Sequence, residues 1–197
     1  MIDDERLRRL LDDLYAEGLR HDDEQTDHGR RRLNLEVPSA ELLALLVRAG
    51  RRTRLLELGT SNGFSTIWLA WATAPLGGRV TSVERSADKH AEARANLRAA
   101  GLEDAVDLCL GEIGSVLPRL PGSFDLVFLD ADRPRAGNHL AALEAHLAPD
   151  VLLVADNADS HPAELAGYRD ALAARPEFRT SLVHVGKGLL VAHRAGP

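Results

Sequence analysis

Apolar residues along this chain follow two rhythms. Near the start, Leu7, Leu10, Leu11 and Leu14 recur at the spacing that gathers side chains on one face of a helix. Asp3 or Asp4 can cap it, and the pattern predicts a helix running to about Gly18. The stretch 21–32 is highly polar and reads as a loop or lid. Pro38-Ser39 then opens a second helix carrying Leu42, Leu43, Leu45 and Leu46, stopped by Gly50. From Arg54 onward the rhythm changes to short apolar runs alternating with amphipathic stretches. The runs predict strands at 54–58, 79–84, 106–110, 124–129 and 151–155, and the stretches predict helices at 65–74, 87–100, 113–117, 136–147 and 162–174. Two closing runs, 178–185 and 189–193, flank Gly186-Lys187-Gly188, a connection short enough for a hairpin. Repeated β-α units ending in a hairpin predict an α/β fold whose mostly parallel sheet has helices on both faces and one antiparallel strand.

Composition narrows the class. At 197 residues the chain fits one domain, since domains hold about 100–200 residues. The expected division is N-terminal helices and lid over 1–50 and a β-α core over 51–197. A formal charge of −6 argues against broad nucleic-acid binding, which needs a positive surface. Arg30-Arg31-Arg32 is the one compact basic cluster, and lysine occurs only at 89 and 187. Cys109, the single cysteine, has no internal disulfide partner and reads as a core residue rather than a nucleophile. The opening Met1-Ile2-Asp3-Asp4-Glu5 lacks the basic-then-apolar order of a signal peptide, and no apolar run is long enough to span a bilayer. A cytoplasmic, membrane-free protein is expected.

The richest chemistry lies in Leu55-Leu56-Glu57-Leu58-Gly59-Thr60-Ser61-Asn62-Gly63-Phe64-Ser65. A buried strand feeds a tight turn that opens a helix, and glycine allows both the turn and a close ligand approach. The dinucleotide pattern G-x-G-x-x-G and the phosphate-loop Gly-Lys-Ser/Thr are both missing. The spacing Glu57-x-Gly59-x-x-x-Gly63 instead resembles motif I of S-adenosylmethionine-dependent methyltransferases. Open α/β sheets bind ligands outside the carboxyl ends of their strands, so the residues after each run are the informative ones. Glu84 ends the second run, where a carboxylate can accept from both ribose hydroxyls. Gly111-Glu112 ends the third, with room for adenine and an acceptor for its exocyclic amine. The fourth ends Asp130-Ala131-Asp132 and the fifth Asp156-Asn157. If those two strands are neighbours, Asp130, Asp156 and Asn157 form a hard, all-oxygen set suited to Mg²⁺ or a similar divalent cation.

Together, Leu-Glu-Leu-Gly…Gly-Phe-Ser, Val-Glu, Phe-Leu-Asp-Ala-Asp and Ala-Asp-Asn resemble the cation-dependent class I O-methyltransferases of the catechol and caffeoyl-CoA type. The likeness runs from about Val37 to the C-terminus and includes Asn96…Gly101-Leu102 and Val185-Gly186-Lys187-Gly188-Leu189. It implies a Rossmann-like methyltransferase fold with a seven-stranded sheet. It also implies S-adenosylmethionine contacts from Glu57, Gly59, Ser65, Glu84 and Glu112, and a metal on Asp130, Asp156 and Asn157. With the turn residues Thr60, Ser61 and Gly63, with Gly111, and with Asp130 beside the methyl donor, these make up the candidate cofactor set. The family commonly follows Asp-Ala-Asp with a lysine proposed as the base; here Arg133 stands there, followed by Pro134. Arginine stays protonated, so it can steady an oxyanion but cannot take a proton. The metal alone or His161 would then serve, which makes Asp130, Arg133 and His161 the candidate catalytic residues.

The expected activity is Mg²⁺-dependent methyl transfer to a hydroxyl of a small aromatic, catechol-like acceptor. Two other readings share the cofactor: a hydroxylated tRNA base as acceptor, held through Arg30–Arg32, and S-adenosylmethionine binding without turnover. An NAD-dependent oxidoreductase is disfavoured by the glycine spacing. The leucine stripe of the first helix, with the homodimers common among relatives, points to a homodimer through that helix or the one after Pro38.

Overall fold

A seven-stranded sheet organises the computed structural model, which describes residues 2, 4–131 and 133–196. Its strands are β1 (Arg54–Leu58), β2 (Arg79–Glu84), β3 (Val106–Leu110), β4 (Phe124–Leu129), β5 (Leu147–Ala155), β6 (Arg179–Val183) and β7 (Leu189–Arg194). They lie in the order β3-β2-β1-β4-β5-β7-β6, and β7 runs antiparallel to both its neighbours. The helices are α1 (Glu5–Glu24), α2 (Val37–Ala49), α3 (Phe64–Thr73), α4 (Ala87–Ala100), α5 (Ile113–Val116), α6 (Ala136–Leu143) and α7 (Ala166–Ala173). After β3 the chain crosses back to the far side of β1, so the crevice between β1 and β4 is the switch point where such sheets bind ligands.

Two-residue alternation along the strands builds the layers. Leu55, Leu126, Phe128 and Val154 face one core with α1, α2 and α3, whereas Leu56, Leu58, Val127, Leu129 and Leu153 face the other with α5, α6 and α7. Four strands begin and end where the apolar runs placed them: β1, β2, β3 and β4. The fifth starts earlier, at Leu147. Its ladder with β4 shifts register between Phe124 and Leu126, and the expected 151–155 is the part after that irregularity. The last helix starts at Ala166 rather than Pro162.

The N-terminal segment differs most from its sequence pattern. Asp4 caps α1 by accepting from the N–H groups of Arg6 and Leu7, while Asp3 lies outside the described residues. The helix does not stop at Gly18 but runs to Glu24, taking four residues from the expected lid. Gly18 serves packing: a Cβ there would collide with the Asn34 amide, which donates to Leu14 O at 3.0 Å. The chain then folds back, and the Asp22 carboxylate accepts from Arg32 N at 2.6 Å and Leu33 N at 2.8 Å. Residues 25–36 therefore form a short strap tied to the end of α1. Leu7, Leu11 and Leu14 are buried in the chain's own core with Leu10 packed beside them, so this stripe is covered within the chain itself. Leu45 of α2 remains 61% exposed. Among the described residues no helix is long and apolar enough to cross a membrane.

Asp22→Ala removes the acceptor for two backbone donors and should cost about 1–2 kcal/mol in urea unfolding. Hydrogen–deuterium exchange should rise in 25–36 and stay unchanged in the sheet.

Candidate active site

The turn after β1 is held from below by a carboxylate. Glu57 has no exposed surface, and three hydroxyls donate to it: Ser65 to Oε1 at 2.6 Å, and Thr66 of α3 and Ser82 of β2 to Oε2. Thr60 pairs with Ser82 at 2.6 Å and extends the network. Burial is the largest influence on Glu57 and pushes its pKa up to about 7, against the hydroxyl hydrogen bonds that lower it. Above this network the turn needs glycine. Gly59 has φ +104°, and a Cβ on it would stand 2.7 Å from Ala131 Cβ. Gly63, at φ +86°, lets the start of α3 lie against Ala93 of α4.

A cleft of about 330 Å³ opens over the carboxyl ends of β1, β2, β4 and β5. Of the residues singled out in the sequence, Gly59, Ser61, Glu84, Asp130, Arg133, Asp156, Asn157 and His161 line it. Glu112 lines an adjoining cavity of about 100 Å³ with Ile113 and Val83, and the two spaces share Gly59, Glu84, Arg85 and Ala131. Glu57, Thr60, Gly63, Ser65 and Gly111 line neither. The first four shape the turn, and a Cβ on Gly111 would meet Val116. Glu84 is fixed by two backbone donors, Ser61 N at 2.9 Å and Ser86 N at 2.8 Å, with its carboxylate facing the cleft.

At the other end of the cleft, strand register decides which groups meet. Leu129 pairs with Ala155 across β4 and β5, so the next residues, Asp130 and Asp156, emerge side by side. Each continues the ladder by one bond, Asp130 N to Leu58 O and Asp156 N to Leu129 O, both 3.1 Å. Burial raises both carboxyls: Asp130 well above the ordinary range, helped by the charges of Asp156 and Glu57, and Asp156 to about 6. Asp156 is 4% exposed, and its Oδ1 is buried without a hydrogen-bond partner. Asn157, at φ +68°, accepts at Oδ1 from Arg133 Nη1 (3.0 Å) and donates from Nδ2 to Ser160 Oγ (3.1 Å). An amide oxygen has two lone pairs, so one remains. Two crowded carboxylates, one with an orphaned oxygen, beside an amide oxygen fit a hard cation. Among the described residues no three His, Cys, Asp or Glu side chains cluster as metal ligands.

Comparison with known proteins identifies the family. Residues 56–158 match the profile of a family described as a methyltransferase domain. The chain is 38% identical over 159 residues to a catechol O-methyltransferase of Mycobacterium tuberculosis, covering 79% of this chain and 71% of that protein. It is 34% identical over 133 residues to a catechol O-methyltransferase of Niastella koreensis, covering 66% of this chain and 60% of the other. Its fold superposes on an O-methyltransferase from Bacillus cereus in complex with SAH at a TM-score of 0.80, with 25% identity over 99% of this chain and 93% of that one. The chain belongs to the S-adenosylmethionine-dependent O-methyltransferases.

Arg85, Lys89 and Glu164 line the cleft of this O-methyltransferase without belonging to any motif in the sequence, and Arg32 and Lys187 line it although neither was placed there from the motif that contains it. One signal was available, because both lysines of a lysine-poor chain reach the same cleft. The strap closes one wall through Ser61 Oγ, which donates to Arg32 O, and Lys89 Nζ, which donates to Arg31 O, both at 2.6 Å. Two members of the basic cluster are engaged by the protein itself, since Arg31 donates to Gln25 O and Arg32 pairs with Glu17 and Glu92, whereas Arg30, 3.9 Å from Asp27, stays exposed. Arg133 donates from Nε to Glu164 at 2.8 Å, and His161, exposed at the cleft, has Nδ1 2.9 Å from Ser160 Oγ. Cys109 is half-buried and free, with its thiol pKa raised by burial.

Glu57 makes stability depend on pH. Between its ordinary value near 4.5 and about 7 the folded state keeps a proton that the unfolded chain has released, so stability falls as pH rises through that window. The contribution is roughly 3 kcal/mol at most. Urea unfolding of Glu57→Gln should show a shallower decline than the parent between pH 4.5 and 8.

Proposed function

We propose that this O-methyltransferase carries the methyl group of S-adenosylmethionine to one of two adjacent hydroxyls on a small, catechol-like aromatic acceptor, with a divalent cation, Mg²⁺ first, as its helper. The observation that carries the metal reading is the buried, unpartnered Oδ1 of Asp156 beside Asp130 in the cleft. Asp130, Asp156 and the remaining lone pair of Asn157 Oδ1 would hold the ion. When bound, it supplies Lewis acidity that favours the ionised form of the acceptor hydroxyl.

The chain's own residues do the rest by placement. Glu84, already oriented by Ser61 N and Ser86 N, accepts from the ribose hydroxyls with its remaining lone pairs. Gly59 admits the methionine end against bare backbone, and Glu112 with Ile113 and Val83 receives the adenine. Glu57, Thr60, Gly63 and Ser65 act from beneath by fixing the turn. The acceptor oxygen attacks the methyl carbon in line, the carbon–sulfur bond breaks, and S-adenosylhomocysteine leaves. Arg133 stays charged and steadies negative charge while holding Asn157, so the proton passes to solvent or to His161 at the same end of the cleft. Alignment and charge stabilisation supply the catalysis, without a covalent intermediate.

Two measurements test this reading. Glu84→Ala should weaken S-adenosylhomocysteine binding by about 1–3 kcal/mol in calorimetric titration, the cost of a lost buried acceptor; unchanged affinity would remove Glu84 from the cofactor site. Turnover of catechol should vanish in chelator and return with Mg²⁺. Asp156→Ala should lose that response yet keep most of its S-adenosylhomocysteine affinity, and full activity in chelator would reject the metal. Arg133→Lys should remain active.

A further inference from the structure

Apart from the His161 imidazole, no aromatic ring lines the larger cleft among the described residues, although an aromatic acceptor is proposed for it. Among the described lining residues there is no Phe, Tyr or Trp, and Leu33 and Pro134 are the only apolar side chains larger than alanine. The chain's aromatic rings are used elsewhere. Phe64 and Phe128 are buried in the core, Tyr168 is buried on α7, and Trp68 and Trp71 pack edge to face on α3. Ring stacking therefore contributes little to acceptor binding, and recognition falls to charge and hydrogen bonds.

One cation on the acceptor side is held firmly by its backbone and loosely at its tip. Lys187 sits at the turn between β6 and β7, flanked by Gly186 (φ +57°) and Gly188 (φ +87°). A Cβ on Gly186 would collide with Glu36 and Ser39, and one on Gly188 would stand 2.5 Å from Asp159 N. Only glycine lets the turn lie this close to its neighbours. The turn is stitched to the loop after Asn157: Asp159 N and Ser160 N donate to Lys187 O at 2.9 and 3.1 Å, and Ala158 N donates to Gly188 O at 2.9 Å. Its ammonium is 3.8 Å from Glu36 Oε1, beyond hydrogen-bond range, and the side chain lines the cleft. Lys187 lines the same cleft as Asp130, Asp156 and Asn157, where acceptor oxygens would bind. Arg133, by contrast, is engaged by Glu164 and Asn157.

We propose that Lys187 is the binding residue for a carboxylate on the methyl acceptor, so that the preferred acceptor is an aromatic acid carrying adjacent hydroxyls. The inference rests on the methyl-transfer reading of the same cleft. The hydroxyls lie at Asp130, Asp156 and Asn157, and the carboxylate pairs with the Lys187 ammonium. A partner group on the ligand supplies the direct hydrogen bond that Glu36 does not. An acceptor bearing an ammonium would meet like charge, a repulsion that works against the wrong partner.

The test is calorimetric titration of the protein loaded with S-adenosylhomocysteine and Mg²⁺, using 3,4-dihydroxybenzoate, catechol and 2-(3,4-dihydroxyphenyl)ethylamine as probes. The parent should bind the acid about tenfold more tightly than catechol and the amine more weakly than catechol. Lys187→Met should bring the acid-to-catechol ratio close to one, and Lys187→Arg should keep most of it. A parent ratio near one overturns the proposal. So does a ratio that survives in Lys187→Met, or an equal loss for acid and catechol, which would put Lys187 on the shared hydroxyls instead. Methyl transfer is scored separately with the same probes. A binding preference that depends on Lys187 without methylation of any probe would refute the catechol-type acceptor reading and leave the carboxylate site standing.

Discussion

The carboxylate of Glu57 is the constraint from which the ligand-binding end of this protein is built. It has no contact with solvent, so its hydrogen-bonding capacity must be met by protein groups, and Ser65, Thr66 and Ser82 meet it. Those hydroxyls belong to α3 and β2, which means that one side chain on β1 ties the first β-turn-α unit to its neighbouring strand. The turn then has one available path. Ser61 N on that path orients Glu84, Ser61 Oγ holds the strap through Arg32 O, and Gly59 leans on Ala131 at the end of β4. The cofactor end, the lid and the acceptor end are thereby referred to one short segment. An acid buried this way carries a cost near neutral pH, and the hydroxyl network offsets part of it.

The second organising constraint is the parallel ladder. Parallel pairing brings the carboxyl ends of β1, β2, β4 and β5 to one edge, and each pairing sets which residues emerge together. Asp130 and Asp156 are 26 positions apart in the chain and adjacent in space because Leu129 pairs with Ala155. Two acids crowded at the mouth of a buried sheet would otherwise repel. Burial is the main reason both carboxyls stay raised, and the positive charges of Arg133 and Lys187 counter it only in part. The proposed metal rests on the buried, unpartnered Oδ1 of Asp156 at this edge. The antiparallel hairpin completes it by delivering Lys187 from the opposite end of the sequence to the same edge.

Local patterning made much of this legible. The strands were readable because a sheet covered on both faces needs continuous apolar runs, and Glu84, Asp130, Asp156 and Asn157 were readable because they follow those runs directly. Glu57 was recognised as important, but strand parity turns it inward, away from the cleft, and a motif does not display parity against a neighbouring helix. Gly18 looked like a helix stop, yet its lack of a side chain serves an approach by Asn34 that no local rule announces. The α1 stripe looked like a surface for a partner and proved to be core, since only the packed chain shows which apolar faces are already covered.

The amino-acid sequence by itself therefore determined the α/β class, the order of elements, the glycine turn and the acids at the strand ends. Each of these follows from the spacing of apolar residues or from backbone geometry within a few positions. Tertiary structure alone decided which acids meet, which hydroxyls donate to Glu57, where the strap is tied and that Lys187 enters the cleft. These are contacts between segments far apart in the chain. Their distances are set by strand register and by the close approach of glycines to distant side chains, and neither is encoded in any short stretch of residues.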